Sequence, residues 1–245
     1  MKFVLRFLLA GLLLVGVAWP QAGFAVALLR RFEIGGSEDS AGLERVLNQM
    51  DAAAKIVRTT EASVTWDEYQ KVINETDTEK GKLYSRREGG DTQVAVEFFE
   101  PDKKYVIYSG GKVQVYQPKI DQVNQYNAGN NRGDIESFLA LGFGGGGHDL
   151  LKSYDVKYLG TESVNGVQAA KLELVSKSPK MRNNIARVLL WIDPARGISV
   201  QQQLFEPGGD YRLARYSDIQ INHNLPGNVF KLKTTGKTKF VPPQG

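Results

Sequence analysis

Few side chains in this sequence are equipped for covalent or metal chemistry. Its 245 residues include no cysteine, which removes thiol nucleophiles, disulfide frameworks and thiolate-held zinc or iron–sulfur centres. The two histidines, His148 and His223, stand far apart, so their spacing offers neither a multi-histidine metal site nor a histidine relay. His148-Asp149 has the makings of a base and its orienting carboxylate. Without a Gly-x-Ser-x-Gly elbow to supply a nucleophile, an exposed histidine beside a loop is the ordinary reading. Gly142-x-Gly144-x-x-Gly147 matches the form of a dinucleotide fingerprint, but that fingerprint works only when it follows a strand and opens a helix. Here it follows a helix-like stretch and ends in a glycine run, which reads as a hinge. The 27 acidic residues would always furnish some pair of carboxylates, and no spacing singles one out. No metal, no cofactor and no enzymatic activity are expected.

The chemistry that the pattern does supply is apolar. Val64, Trp66, Leu83, Val94, Val96, Phe98, Tyr105, Ile107, Val113 and Val115 occupy alternating positions of consecutive strand-like segments. If the sheet they build curls, they line a concave trough suited to an apolar, chain-like ligand. The competing outcome is that the first helix fills this trough as ordinary core.

The elements that would position these residues are legible from periodicity. Between Ser40 and about Arg58, Leu43, Val46, Leu47, Met50, Ala54 and Val57 recur at helical spacing between polar residues, so an amphipathic helix is expected there. Beyond Thr59 the period becomes two, as in Val64 and Trp66, in Val94, Val96 and Phe98, and in Val188, Leu190 and Ile192. Gly89-Gly90-Asp91, Gly110-Gly111, Asn165-Gly166, Asp193-Pro194-Ala195-Arg196-Gly197 and Pro207-Gly208-Gly209-Asp210 supply turn chemistry between strands. About eleven strands joined mostly by hairpins result. One interruption, at about residues 133–152, reads as a helical flap. Asp134 caps it, Ile135, Phe138, Leu139 and Leu141 form its apolar side, and the glycines from Gly142 to Gly147 form its hinge.

Lys and Arg exceed Asp and Glu by 31 to 27, but they are scattered and not interleaved with stacking aromatics, so nucleic acid is not an expected partner. The densest group, Lys231, Lys233, Lys237 and Lys239, reads as a solvated tail. At the N-terminus, Lys2 and Arg6 precede an apolar run from Phe7 to Val17, which has the length of a secretory signal core and is short for a bilayer span. Small residues around Ala25 and Ala27 offer cleavage, giving a signal peptide over residues 1–27 and one domain over 28–245. The alternative is an uncleaved anchor over Phe7 to Leu29. Either way the remainder is expected outside the cytoplasm.

Short segments in a fixed order resemble the periplasmic carriers of outer-membrane lipoproteins, the LolA-like family. These are Ala62-Ser63-Val64-Thr65-Trp66, Gly81-Lys82-Leu83-Tyr84-Ser85-Arg86-Arg87, Tyr105 to Gly110, Tyr116-Gln117-Pro118 with Asp121-Gln122-Val123, Trp191-Ile192-Asp193-Pro194, Tyr216-Ser217-Asp218-Ile219 and Leu225-Pro226 with Val229-Phe230. The resemblance covers most of residues 40–235. It departs at Glu88, Ser109 and Gln114, where the family usually has Pro, Asp and Trp. It implies an α+β fold, an open antiparallel half-barrel of about eleven strands covered by the N-terminal amphipathic helix and a short helical lid. It also implies a monomer in the periplasm that binds lipoprotein acyl chains. Such a carrier takes acylated lipoproteins from an inner-membrane ABC-type release complex to an outer-membrane acceptor. An envelope sensor using the same fold to bind lipid or mislocalised lipoprotein is the alternative. Arg87 matches the family arginine that holds the lid closed, near Phe138, Leu139 and Leu141, with Arg86 as the register alternative.

Overall fold

The structure, a computed structural model, describes residues 33–88, 91–127 and 141–242. The proposed signal or anchor and the lid residues Phe138 and Leu139 therefore lie outside the described residues. Helix α1 (Glu33–Ile56) leads into β1 (Thr59–Gln70), β2 (Glu75–Glu88), β3 (Asp91–Glu100), β4 (Lys104–Ser109), β5 (Lys112–Gln117) and β6 (Gln122–Asn127). A short helix α2 (Gly147–Ser153) then precedes β7 (Tyr154–Val164) and β8 (Val167–Ser176), and one turn of helix, α3 (Pro179–Arg182), precedes β9 (Arg187–Asp193). The chain closes with β10 (Ile198–Phe205), β11 (Tyr211–Ile221) and β12 (Lys239–Val241).

All twelve strands form one open sheet in the order β12-β6-β5-β4-β3-β2-β1-β11-β10-β9-β8-β7. Apart from β12, neighbours are antiparallel, as hairpin connections require. The fold is thus an α+β open half-barrel, with one strand more than the sequence pattern gives. The extra strand is β12, three residues pairing in parallel with β6, too short to register as a periodic segment. Helix α1 also starts earlier than Ser40, at Glu33; Glu33 to Asp39 carry no apolar period that would announce it in the sequence.

The core sits between α1 and the β7–β10 half of the sheet. Val46 and Met50 pack with Leu172, Leu174, Leu190 and Ile192, all almost fully buried. Each such side chain contributes about 1.5–3 kcal/mol by leaving water, so the helix is fixed as a covering layer. Two glycines make its approach to neighbours close. A Cβ on Gly147 would stand 2.2 Å from the Leu47 carbonyl oxygen, and one on Gly197 would stand 2.5 Å from that of Gln49.

The opposite face is covered differently. Residues of the C-terminal segment, Leu225, Val229, Phe230 and Leu232, pack on Tyr84, Ala95 and Ile107. The basic tail is therefore amphipathic, its lysines exposed while its apolar residues are laid on the sheet. Asp121 secures it by accepting from the hydroxyls of Thr235 and Thr238 at 2.6 Å each. These bonds hold the Asp121 carboxyl below the usual carboxylate range. With β12 in place, the β6 edge is paired.

Candidate functional site

Strand pairing decides which side chains share a face, since directly opposed residues of an antiparallel pair project to the same side. Leu83 opposes Ala62 on β1 and Val96 on β3; Val96 opposes Val106; Val106 opposes Val115. Val64 opposes Tyr216, and Trp66 opposes Ala214. Val64, Trp66, Leu83, Val94, Val96, Phe98, Val113 and Val115 accordingly lie on the inner face, the side on which α1 sits. Ala62, Val64, Leu83, Phe98, Ala214 and Tyr216 form one buried cluster there, with Trp66, Val96 and Val106 partly buried against it.

Tyr105 and Ile107 do not belong to this floor. Ile107 opposes Ala95 and Tyr105 opposes Glu97, which places both on the outer face, where Ile107 is covered by the C-terminal segment. Strand β4 reads Tyr-Val-Ile-Tyr, apolar at both parities, so alternation within it cannot choose a face. The pairing register with β3 chooses Val106 and Tyr108 for the inside. These two, together with Ala62, Ala214 and Tyr216, are residues of the sheet floor that sequence reasoning missed.

The apolar floor ends in charge in both strand directions. Along β2 the inner positions run Arg87, Ser85, Leu83, Gly81, Glu79; along β1 they run Thr60, Ala62, Val64, Trp66, Glu68. At the Glu79 end, the Lys104 ammonium donates to Glu79 at 2.6 Å and lies 4.6 Å from the centre of the Phe98 ring. Beside it, Arg212 on β11 donates to Glu68 at 2.9 Å and to Glu206. Both Arg212 and Glu206 are buried. Burial pushes the Glu206 carboxyl up to about 7 against the opposing pull of Arg212. Between these rims the apolar strip runs from Ala62 to Trp66, roughly 13 Å along the strands, and crosses from β5 to β11, roughly 24 Å.

The segment Leu141–Gly146 lies on this floor. Leu141 enters the α1 core cluster, and its carbonyl accepts from the Gln202 amide. Gly142 has φ of +79°, and a Cβ there would stand 2.2 Å from Ser199 Cβ, so the chain turns against β10 where a larger residue has no room. Phe143 then inserts into the floor cluster and meets the Tyr216 ring edge-on, with centroids 4.8 Å apart. Burial pushes the Tyr216 hydroxyl above its ordinary range. Next, the Gly144 carbonyl accepts from Arg87 Nη1, which also reaches Ala54 O at the end of α1 at 3.5 Å. Arg86 points to the other face, where its guanidinium stacks 4.9 Å from the Phe230 ring centre and donates to Gln93. Of the proposed gating residues, Leu141 is thus core, and the carbonyl that Arg87 engages is three residues further on.

His148 pairs with α1 and not with its neighbour Asp149. Its ring nitrogens face Asp51 and Glu44, the latter at 3.2 Å. The hydrogen bond with Asp51 raises the His148 pKa above its ordinary value. Partial burial opposes ionisation of Asp51, yet the bonds from His148 hold its carboxyl below the usual range. The signal in the sequence was the spacing of Glu44 and Asp51, seven residues apart on one helix face. Asp149 is engaged by Lys152 at 2.6 Å. Among the described residues no group of three or more His, Asp or Glu is arranged to hold a metal, and no helix is long and apolar enough to cross a membrane.

A separate cleft of about 540 Å³ opens where the β7–β8 turn meets the end of β11, lined by Val164, Val167, Val200 and Ile219 with Arg196 and Asp218. Arg196 is already committed to Asp193 at 2.7 Å, and the cleft shares Tyr216 with the floor cluster.

The family described as outer membrane lipoprotein carrier protein LolA matches this chain over residues 57–233. In solved structures the chain is similar to an uncharacterised conserved protein of Thermus thermophilus, at 13% identity, over 83% of this chain and 99% of that one, with a TM-score of 0.52. It is also similar to a LolA superfamily protein of Nitrosomonas europaea, at 14% identity over 78% of this chain and 97% of that one, with a TM-score of 0.39. Among curated proteins it is 23% identical over 148 residues to an uncharacterised protein of Methanocaldococcus jannaschii, covering 60% of this chain. The matched part spans 38% of that relative's length.

Proposed function

The chain belongs to the outer membrane lipoprotein carrier family LolA, and from that membership we propose that it is a non-enzymatic periplasmic carrier for the acyl chains of lipoproteins. An acyl chain exposed to water costs about 0.8 kcal/mol per CH₂, or roughly 13 kcal/mol for a chain of about 16 carbons. A carrier has to cover most of that surface and still let it go. The observation that carries this reading is the apolar strip bounded by charged rims, with Phe143 seated in it and Arg87 holding the adjacent Gly144 carbonyl.

In this reading Phe143 occupies the empty trough much as an acyl chain would, so loading displaces an internal aromatic side chain instead of water alone. The Arg87 bond is made only while the segment is seated. It supports the empty state by roughly 1.5–3 kcal/mol, the range for a charge-assisted hydrogen bond. That is small against a buried chain, and large enough to favour release when an acceptor competes. Cargo is collected at the inner membrane and passed to an outer-membrane acceptor.

The test is loading and transfer. The purified protein should take up an acylated lipoprotein or an 11-dansylamino-undecanoic acid probe and surrender it to acceptor vesicles. Val96→Glu, which puts a charge on the floor, should abolish uptake with the fold intact. Uptake by Val96→Glu equal to wild type sinks the proposal. Retention of an intact Met1 N-terminus in washed membranes would favour an anchored sensor over a shuttle.

A further inference from the structure

The stretch from Gly144 to His148 is fastened at two points of different chemical kind. At Gly144 the donor is the Arg87 guanidinium, charged at every physiological pH. At His148 the backbone N–H donates to Asp51 Oδ1 at 3.2 Å, ring Nδ1 meets Asp51 Oδ2, and ring Nε2 stands 3.2 Å from Glu44 Oε1. A neutral imidazole carries one N–H and cannot donate from both nitrogens. Seated between two carboxylates of α1, the ring satisfies both only as the imidazolium.

We propose that His148 is a second, proton-dependent latch that pins α2 and the preceding glycine stretch onto α1 through Asp51 and Glu44. The inference rests on the reading that the Phe143–Gly144 segment covers the acyl-chain site, and adds to it a control by pH. The remaining charges nearby do not replace the histidine. On its own helix Asp149 is engaged by Lys152 at 2.6 Å. On α1, Asn48 donates to Glu44 at 3.1 Å without neutralising it. Strand β7, which packs on both helices, presents Asp155 and Lys157 to solvent. Among the described residues, the ionic partners of the ring are Glu44 and Asp51.

The direction follows from the shift. The His148 pKa is raised in the folded protein, so the latch holds fully below the ordinary histidine value and is lost as pH rises through the folded value. Acidification therefore fastens the segment and alkalinity frees it. At high pH the Arg87 bond to the Gly144 carbonyl and the backbone bond from His148 N–H to Asp51 remain.

Hydrogen exchange of the unliganded full chain reads the latch without any ligand. After correction for intrinsic rates, the amides of residues 144–153 should be about two- to fivefold better protected at pH 6 than at pH 8, the effect of exposed ion pairs of this kind. Amides of Val188–Ile192 should not change. His148→Gln, which keeps hydrogen-bonding capacity but not the charge, should show the pH 8 level at both values, and so should Asp51→Asn. Equal protection of wild type at the two pH values, or an undiminished pH effect in His148→Gln, overturns the latch. A wild type that shows the effect but takes up no 11-dansylamino-undecanoic acid at either pH keeps the latch and overturns the carrier reading.

Discussion

Arg87, near the end of β2, donates to the carbonyl of Gly144, a residue 57 positions later in the chain. The contact joins the floor of the sheet to the segment that carries Phe143, and the same guanidinium nitrogen lies 3.5 Å from Ala54 O on α1. Sheet, helix and covering segment thus meet at one side chain.

Replacing Arg87 with Leu is expected to loosen the empty state and leave the apolar floor unchanged. Affinity for an acyl probe should rise, by at most about 10–100-fold for a lost contact of roughly 1.5–3 kcal/mol, while transfer to acceptor vesicles slows. Arg87→Lys should fall between, because an ammonium keeps the charge but not the planar fork of donors. A two-step loading and transfer assay measures both. Arg86→Leu, on the outer face, should change neither.

The two faces of the β3–β4 pair give a parity test. Phe98→Glu on the inner face should eliminate probe uptake. Ile107→Ala on the outer face should cost about 2–5 kcal/mol of stability by opening a cavity under Leu225 and Val229, with uptake per folded molecule unaltered. Denaturant titration and fluorescence binding on the same samples separate the outcomes. Loss of uptake in folded Ile107→Ala would contradict the face assignment.

Phe143 competes with cargo if it occupies the trough of the empty protein. Phe143→Ala is expected to lower stability by about 3 kcal/mol and to tighten acyl-probe binding when measured below the new melting temperature. Phe143→Leu should do both to a smaller degree. Weaker binding in both variants would show that Phe143 helps to hold cargo instead of standing in for it.

The rim pair Glu206–Arg212 should make stability depend on pH. The folded Glu206 pKa, at about 7, lies above the ordinary glutamate value of 4.5, so between these values the folded state binds more protons than the unfolded chain. Stability from this group is greatest below about pH 4.5 and declines as pH rises towards 7, by about 1–3 kcal/mol. Glu206→Gln should flatten that part of the profile. Arg212→Met, which leaves Glu206 and Glu68 without their partner, should destabilise at pH 8 by about 3–5 kcal/mol. Chemical denaturation from pH 5 to 8 checks both; a Glu206→Gln profile parallel to wild type would count against the assignment.

By itself the sequence determined the classes of element and most of their order. Period 3.6 in Leu43 to Val57 and period 2 in Val64-x-Trp66 or Val188-x-Leu190-x-Ile192 reflect the geometry of one helix and of single strands. That information is local, and the glycine, asparagine and proline turns are local as well. The absence of cysteine and the scarcity of histidine are compositional facts that bounded the chemistry before any fold was known. Tertiary structure alone decided which apolar parity of β4 faces inward, because Tyr105-Val106-Ile107-Tyr108 satisfies both and only pairing with β3 breaks the tie. It also decided that the basic C-terminal segment is laid across the outer face, that Phe143 fills the floor, and that His148 finds Glu44 and Asp51 rather than Asp149. Each of these is a contact between residues distant in sequence. No periodicity within a segment encodes such a contact, since its register is set by how whole faces are buried against one another.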